Sequence, residues 1–240
     1  MAQLWQKGYD VNKEILQFTV GNDHELDQLM VKHDALGSIG HAMMLNKIGI
    51  LSKTEIKKTK QELKKVISLW EEGKFKIKME DEDSHTAIEN YLIAKLGNLG
   101  KKIHTARSRN DQVVVMTRLY TKDKTLDLIN YSLSLVETFV KQAKKYEFVP
   151  MPGYTHTQRA MPSSAGMWFG QYAEAILDDI KILKCAYEIN DMSPLGSAAG
   201  FGVNINIDRE YTAKVLGFQK VQNNPMYVSY TRGKIESNIL

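Results

Sequence analysis

Apolar positions recur along this chain in steps of three and four, and alternating apolar and polar runs of strand length are missing. An all-α protein is therefore expected. From Asp23 to about Asn46, residues such as Leu26, Met30, His33, Met43 and Met44 fall near one helical face until Gly49 breaks the run. Ser52-Lys53-Thr54-Glu55 has the Ser-x-x-Glu form in which two side chains satisfy each other's unpaired amides, and it opens a helix that Glu72-Gly73 closes. A third helix should start at Asp83 or Ser84 and stop at Leu96-Gly97. Between Asp111 and Val149 there is neither Gly nor Pro, while Leu119, Leu126, Ile129, Leu133, Val136 and Val140 keep the helical step. That run far exceeds the roughly 11 residues of an average helix. A helix of this length with one apolar seam needs comparably long partners, so a bundle shared between subunits is expected. Pro150, Pro152 and Gly153 end it, and a loop should lead to a second long, antiparallel helix from about Ser163 to Asn190. A glycine-rich loop, Ser193 to Gly202, follows, then a short helix opened by Asp208 and a last one running to Leu240 without a stop signal. The division expected is a small helical domain over 1–107 and a long-helix bundle over 108–240, incomplete at its carboxyl end.

Composition narrows the class. With 43% hydrophobic residues in 240, the chain can bury a substantial core and is no disordered tail. The excess of 32 Lys and Arg over 28 Asp and Glu is small and the lysines are scattered, which describes a solvated surface and gives no reason to expect nucleic acid as a partner. Cys185 is the sole cysteine, so no internal disulfide forms, and it reads as a small packing residue on a helix. The six histidines include no His-x-x-x-His or His-x-His pair, so no metal site is expected. Met1 to Gly8 lacks the basic and apolar blocks of a secretion signal, and no membrane span is visible, so a cytoplasmic protein is expected.

Four polar clusters interrupt the helices. Asp81 to Thr86 reads equally as an acidic helix cap. His104 to Gln112 puts Arg107, Ser108, Arg109 and Asn110 before the longest helix, a suitable receiver for a small anion beside unpaired helix amides, although Ser108 or Asp111 could simply cap that helix. Gly153 to Ala160 carries Thr155 and His156 on the expected loop, and a histidine there can exchange a proton near neutral pH. The glycine-rich loop lets backbone approach a ligand closely but has no Lys in phosphate-loop order.

Taken together and in order, Asp83-Ser84-His85-Thr86, His104-Thr105 with Arg107 to Gln112, Gly153-Tyr154-Thr155-His156 with Gln158, and Pro194-Leu195-Gly196-Ser197 resemble the fumarase/aspartase superfamily and, within it, the argininosuccinate lyases. The resemblance covers essentially the whole chain, and Ser108 to Gln112 is its most specific string. It implies a cofactor-free β-elimination of argininosuccinate to arginine and fumarate in arginine biosynthesis, by a homotetramer. It implies catalytic roles for His156 and Thr155, and substrate binding by Arg109, Asn110, Ser108, Asp83 and Asp23. Where family members place a substrate-contacting Ser near the start, this chain has Gly21-Asn22-Asp23, and Asp23 retains at most part of that role. The family's later Gly-Ser-Ser-x-Met-Pro-x-Lys-x-Asn-Pro loop, source of a catalytic serine, does not occur in these 240 residues. The chain is thus expected to be the amino-terminal part of such a lyase and inactive alone. A non-catalytic helical fragment and an adenylosuccinate-lyase-like enzyme are the competing readings.

Overall fold

A computed structural model describes residues 13–239; the Met1 to Gly8 segment and Leu240 lie outside them. The fold is all-α in substance. Helices α1 (Lys13–Val20) and α2 (Asp23–Leu26) lead to α3 (Val31–Lys47), α4 (Lys53–Glu71), α5 (Ser84–Leu96), α6 (Asn98–Lys102) and the long α7 (Arg109–Lys145). A hairpin of β1 (Pro150–Thr155) and β2 (Gln158–Ser164) precedes α8 (Ala165–Asn190), and β3 (Met192–Ser193), α9 (Arg209–Val215), β4 (Lys220–Val221) and α10 (Pro225–Tyr230) follow. The described residues divide into two compact units, one of residues 13–120 with 191–236 and one of residues 121–190 with 237–239.

Several local expectations hold for the reasons given. Ser52 and Glu55 form the reciprocal cap, with the Glu55 amide donating to Ser52 Oγ at 3.2 Å and the Ser52 amide to Glu55 Oε2 at 2.8 Å. Asp83 caps α5, and Asp208 caps α9. In the first unit α3, α4 and α5 bury Val31, Leu45, Leu63, Val66 and Leu92 against one another. A smaller cluster joins Val115 of α7 to Leu195, Ala213, Phe218 and Val221.

Four expectations are corrected. The helix from Asp23 is not continuous: a 3-10 turn at Asp27–Leu29 leads to Met30 at φ −112°. The cause is competition for this turn, since Trp70 Nε1 donates to the Gln28 carbonyl at 2.6 Å and Asp27 Oδ2 accepts the Ser84 amide at 3.0 Å. The loop between the long helices is the β1–β2 hairpin, in which Pro150 faces Ser164 and Pro152 faces Pro162, with an irregularity between Pro152 and Tyr154. Both strands of a two-stranded ribbon are edges, so they tolerate proline, and their mostly exposed residues carry no alternating apolar signal. Cys185 is exposed, not a packing residue. After α10 comes a 3-10 turn at Glu236–Asn238 instead of a helix running to the end.

In the second unit, aromatic rings join the 121–145 part of α7 and the turn after it to α8, Phe139 with Tyr172 at 5.4 Å and Tyr146 with Phe169 at 6.0 Å between centroids. Gly166 permits the close approach at their hairpin end, where a β-carbon would fall 2.5 Å from the Ala143 carbonyl oxygen. Among the described residues, no helix is long and apolar enough to cross a membrane.

Candidate functional site

The first unit gathers the acidic cap and the arginine cluster around the amino-terminal turns of α5 and α7. Asp83 Oδ1 accepts from the Thr86 amide at 2.8 Å and from Thr86 Oγ1 at 2.9 Å, which leaves Oδ2 to the Arg109 guanidinium, 3.1 Å away. Arg109 also donates through Nη2 to Thr86 Oγ1 and stands 3.5 Å from Glu82 Oε2. With 34% of its side chain exposed, it is held in orientation while remaining partly open to solvent.

Ser108 starts α7 as its cap. Its Oγ accepts from the Asn110 amide at 3.3 Å and from Asn110 Nδ2 at 3.2 Å, while its own amide donates to Asp111 Oδ1 at 2.9 Å. Two of the amides expected to await a ligand are therefore already engaged. Arg232 Nη1 donates to Asn110 Oδ1 at 3.2 Å, so a second cation adjoins the cluster. Asp111 joins it to the glycine-rich loop, because its Oδ2 accepts from the amides of Gly196 at 3.0 Å and Ala198 at 2.9 Å. Burial raises the Asp111 pKa, and the three amides and Arg107 oppose that rise. Arg209 fixes the loop's other side through its Nε bond to the Leu195 carbonyl, 2.9 Å, and leaves no room for a β-carbon at Gly196 (φ 90°). The hydroxyl of Ser197 is buried there without a hydrogen-bond partner among the described residues.

The remaining residues lie apart in the sequence of elements. Asp23 is exposed on the short α2. Thr155 and His156 belong to the second unit, where Thr155 pairs with Gln158 and the hairpin turns at His156 and Thr157, both with positive φ (49° and 62°). Positive φ at both central residues is the geometry of a tight hairpin turn that favours Asn or Gly, so two larger residues here hold stored backbone strain. Both are exposed. A recess of about 530 Å³ beside this hairpin is lined by Tyr154, Met167, Trp168, Gln171 and Glu174. One of about 600 Å³ in the first unit is lined by Met43, Lys57, Lys60, Lys64 and Tyr211; neither involves the Arg109 cluster.

Sequence reasoning missed Asp34. On α3 and fully buried, it accepts from Ser84 Oγ at 2.9 Å, from His85 Nδ1 at 2.6 Å and from Gln112 Nε2 at 2.9 Å. Burial works against its charge, but the His85 cation, its hydrogen bond and that of Gln112 bring the carboxyl below its ordinary value. For His85 burial again opposes the charge, and Asp34 beside it raises the imidazole pKa. A lone Asp on the core-facing side of a helix was the available signal.

In fold, the protein is all-α. Over 92% of its length it superposes on an EDDS lyase variant with bound fumarate at a TM-score of 0.75 and 23% identity, and on EDDS lyase in complex with formate at 0.73 and 22%; it covers 44% of each of those chains. The chain belongs to the lyase family, whose family model matches residues 13–231. It is 47% identical over 99% of its length to an argininosuccinate lyase of Thermotoga neapolitana and 45% identical over its whole length to one of Phocaeicola vulgatus. The chain spans 60% and 54% of the length of those two relatives.

Proposed function

We propose that this chain forms the carboxylate-binding part of an argininosuccinate lyase, which cleaves argininosuccinate to arginine and fumarate without a cofactor in arginine biosynthesis. The observation that carries the reading is the Arg109 cluster. A guanidinium oriented by Asp83 and Thr86, with Arg232 on the neighbouring Asn110 at the start of a helix, sets two cations in a place suited to a small dicarboxylate. In β-elimination a base removes the proton next to a carboxylate, negative charge collects on that carboxylate, and the carbon–nitrogen bond to the guanidino group breaks as an acid protonates the leaving nitrogen. Donors already in place where that charge develops lower the barrier without reorganising.

On this reading Arg109 and Asn110 hold the succinyl carboxylate and Ser108 fixes the Asn110 amide. Asp83 orients Arg109, and Asp23 contributes at the rim. His156 moves a proton or orients the group that does, with Thr155 holding substrate beside it; the strained turn at His156 supports a functional role for that tip. The enzyme is a cytoplasmic homotetramer whose sites combine segments of several subunits, and the 240-residue chain alone does not turn over. The serine-bearing loop that the elimination also needs is not among its residues.

The test is fumarate release by the full-length gene product, with argininosuccinate and adenylosuccinate compared as substrates. Turnover of argininosuccinate is expected, and preference for adenylosuccinate would overturn the reading. Arg109→Lys keeps the charge but loses the planar fork, and should lower kcat/KM by about a hundredfold, in the range of losing one charge-stabilising donor. A change of less than about threefold would remove Arg109 from its assigned role.

A further inference from the structure

Helix α3 carries three polar residues on one buried stripe, Asp34, Ser38 and His41, spaced by four and three residues so that they share a face. Each reaches a different part of the arginine cluster and its neighbours. Asp34 takes hydrogen bonds from Ser84 and His85 at the start of α5 and from Gln112 in the first turn of α7. Ser38 Oγ accepts from Arg107 Nη1 at 2.9 Å. His41 Nε2 lies 2.9 Å from the Thr105 carbonyl, and since a carbonyl only accepts, this nitrogen carries the proton. Gly37 and Gly40 flank the stripe and leave Val115 and Leu216 within 3.0 Å of where their β-carbons would be.

We propose that Asp34 is a positioning residue of the lyase site, a buried carboxylate that locks the amino-terminal turns of α5 and α7 together and so sets the distance between Asp83 and Arg109. The proposal rests on the lyase reading above, because it takes Arg109 and Asn110 to be the carboxylate receiver. Asp34 touches neither. It acts through one step of structure on each side: Ser84 and His85 follow Asp83 directly, and Gln112 lies within one helical turn of Arg109 and Asn110. A core built only for stability would not need a fully buried carboxylate at this point. Apolar packing of similar volume commonly stabilises as well or better than a buried ion pair, whereas a paired charge fixes a unique arrangement. Ser38 and His41 extend the same device to the 104–107 turn that leads into α7.

The experiment uses the full-length enzyme in three forms: wild type, Asp34→Asn and Gln112→Met. Asn keeps shape but cannot accept from all three donors, and Met removes only the α7 arm and guards against a failure of the first variant to fold. Two readouts are taken. Amide hydrogen exchange over residues 84–86 and 109–112 should speed up by tenfold or more in Asp34→Asn, and by less in Gln112→Met. Inhibition constants for the two products should separate: fumarate should weaken by about tenfold, while arginine changes by less than about twofold. A purely structural role would lower Tm and leave this ratio unchanged. Unchanged exchange at both turns in both variants, or equal weakening of fumarate and arginine, overturns the proposal. If the wild type releases no fumarate from argininosuccinate, the lyase reading fails by itself, and the exchange data alone then decide whether Asp34 locks the two turns.

Discussion

At the scale of single residues, the buried His41 of α3 and His85 of α5 differ in the sign of their shifts. Burial first, and then the charge of Arg107, pushes the His41 imidazole from 6.5 down to about 3. His41 therefore stays neutral in the folded protein while the unfolded chain takes up a proton, and stability falls as pH drops below 6.5 toward 3, at about 1.4 kcal/mol per pH unit. His85 behaves oppositely. Its folded pKa lies above 6.5, so its contribution is complete below 6.5 and is lost as pH rises through the folded value. The urea midpoint should peak near neutral pH, with an acid limb to which His41 and His104, both lowered by burial and by Arg107, contribute, and an alkaline limb from His85. Gln in place of His41 can still donate to the Thr105 carbonyl but does not titrate, and His41→Gln should flatten the limb between about pH 4 and about pH 6. An acid limb of unchanged slope in that variant would assign it to other groups. None of this was visible in the sequence, where His41 is one of six scattered histidines. A histidine's neighbours are set by tertiary packing, and Thr105 and Arg107 come from 64 or more positions away.

At the scale of elements, glycine separates packing from conformational freedom. Gly100 in α6 faces the backbone of α5: a β-carbon there would lie 2.6 Å from the Leu92 carbonyl carbon, with Ile93 N at 2.7 Å. Backbone cannot swing aside as a side chain can, so Gly100→Ala should cost about 2–3 kcal/mol through displacement of α6. Gly170 lies inside α8 with nothing within 4 Å of a β-carbon, so Gly170→Ala should stabilise by about 0.5–1 kcal/mol through the helix propensity alone. Urea denaturation of the two variants checks both signs, and a stabilised Gly100→Ala would contradict the close α5–α6 packing. The helices were legible because capping and the three- and four-residue step are local: Ser52 with Glu55, Asp83 and Asp208 each mark a start that the structure keeps. The β1–β2 hairpin was not legible. Its strands bury nothing on a consistent face, and its prolines read as helix stops. Likewise the Ser108 to Gln112 string could be singled out by its residue types, whereas the bonds of Ser84, His85 and Gln112 to Asp34 span 50 to 78 positions and have no local pattern.

At the scale of the whole molecule, the second unit exposes more apolar surface than a self-sufficient helix pair would. On α7, Leu126, Leu133 and Val140 are 47%, 42% and 52% exposed, and Leu128 and Leu135 are 43% and 46% exposed. These form two rows on nearly opposite sides of the helix, each with a spacing of seven residues, which is the period that keeps a seam facing a partner helix in a bundle. Scattered apolar residues on a surface need no partner, but exposed leucines and a valine repeating every seven residues along one face of a long helix, with a second such row on the other side, do. The tetrameric reading supplies one, since long helices of several copies would cover each other's rows in a shared core. The chain should accordingly associate as its concentration rises, and sedimentation velocity over a range of concentrations should show the weight-average mass climbing above that of one chain, 27.3 kDa. Leu133→Lys puts a charge in the middle of one row without touching the Phe139–Tyr172 contact inside the unit. It should lower the association constant by tenfold or more, while helical circular dichroism stays unchanged because Lys is a good helix former. A chain that sediments as a monomer at every concentration, with the same helix content, would show that the rows are satisfied within one copy. That outcome would remove the main structural support for an assembly built on α7, while leaving the Arg109 cluster and its Asp34 lock untouched.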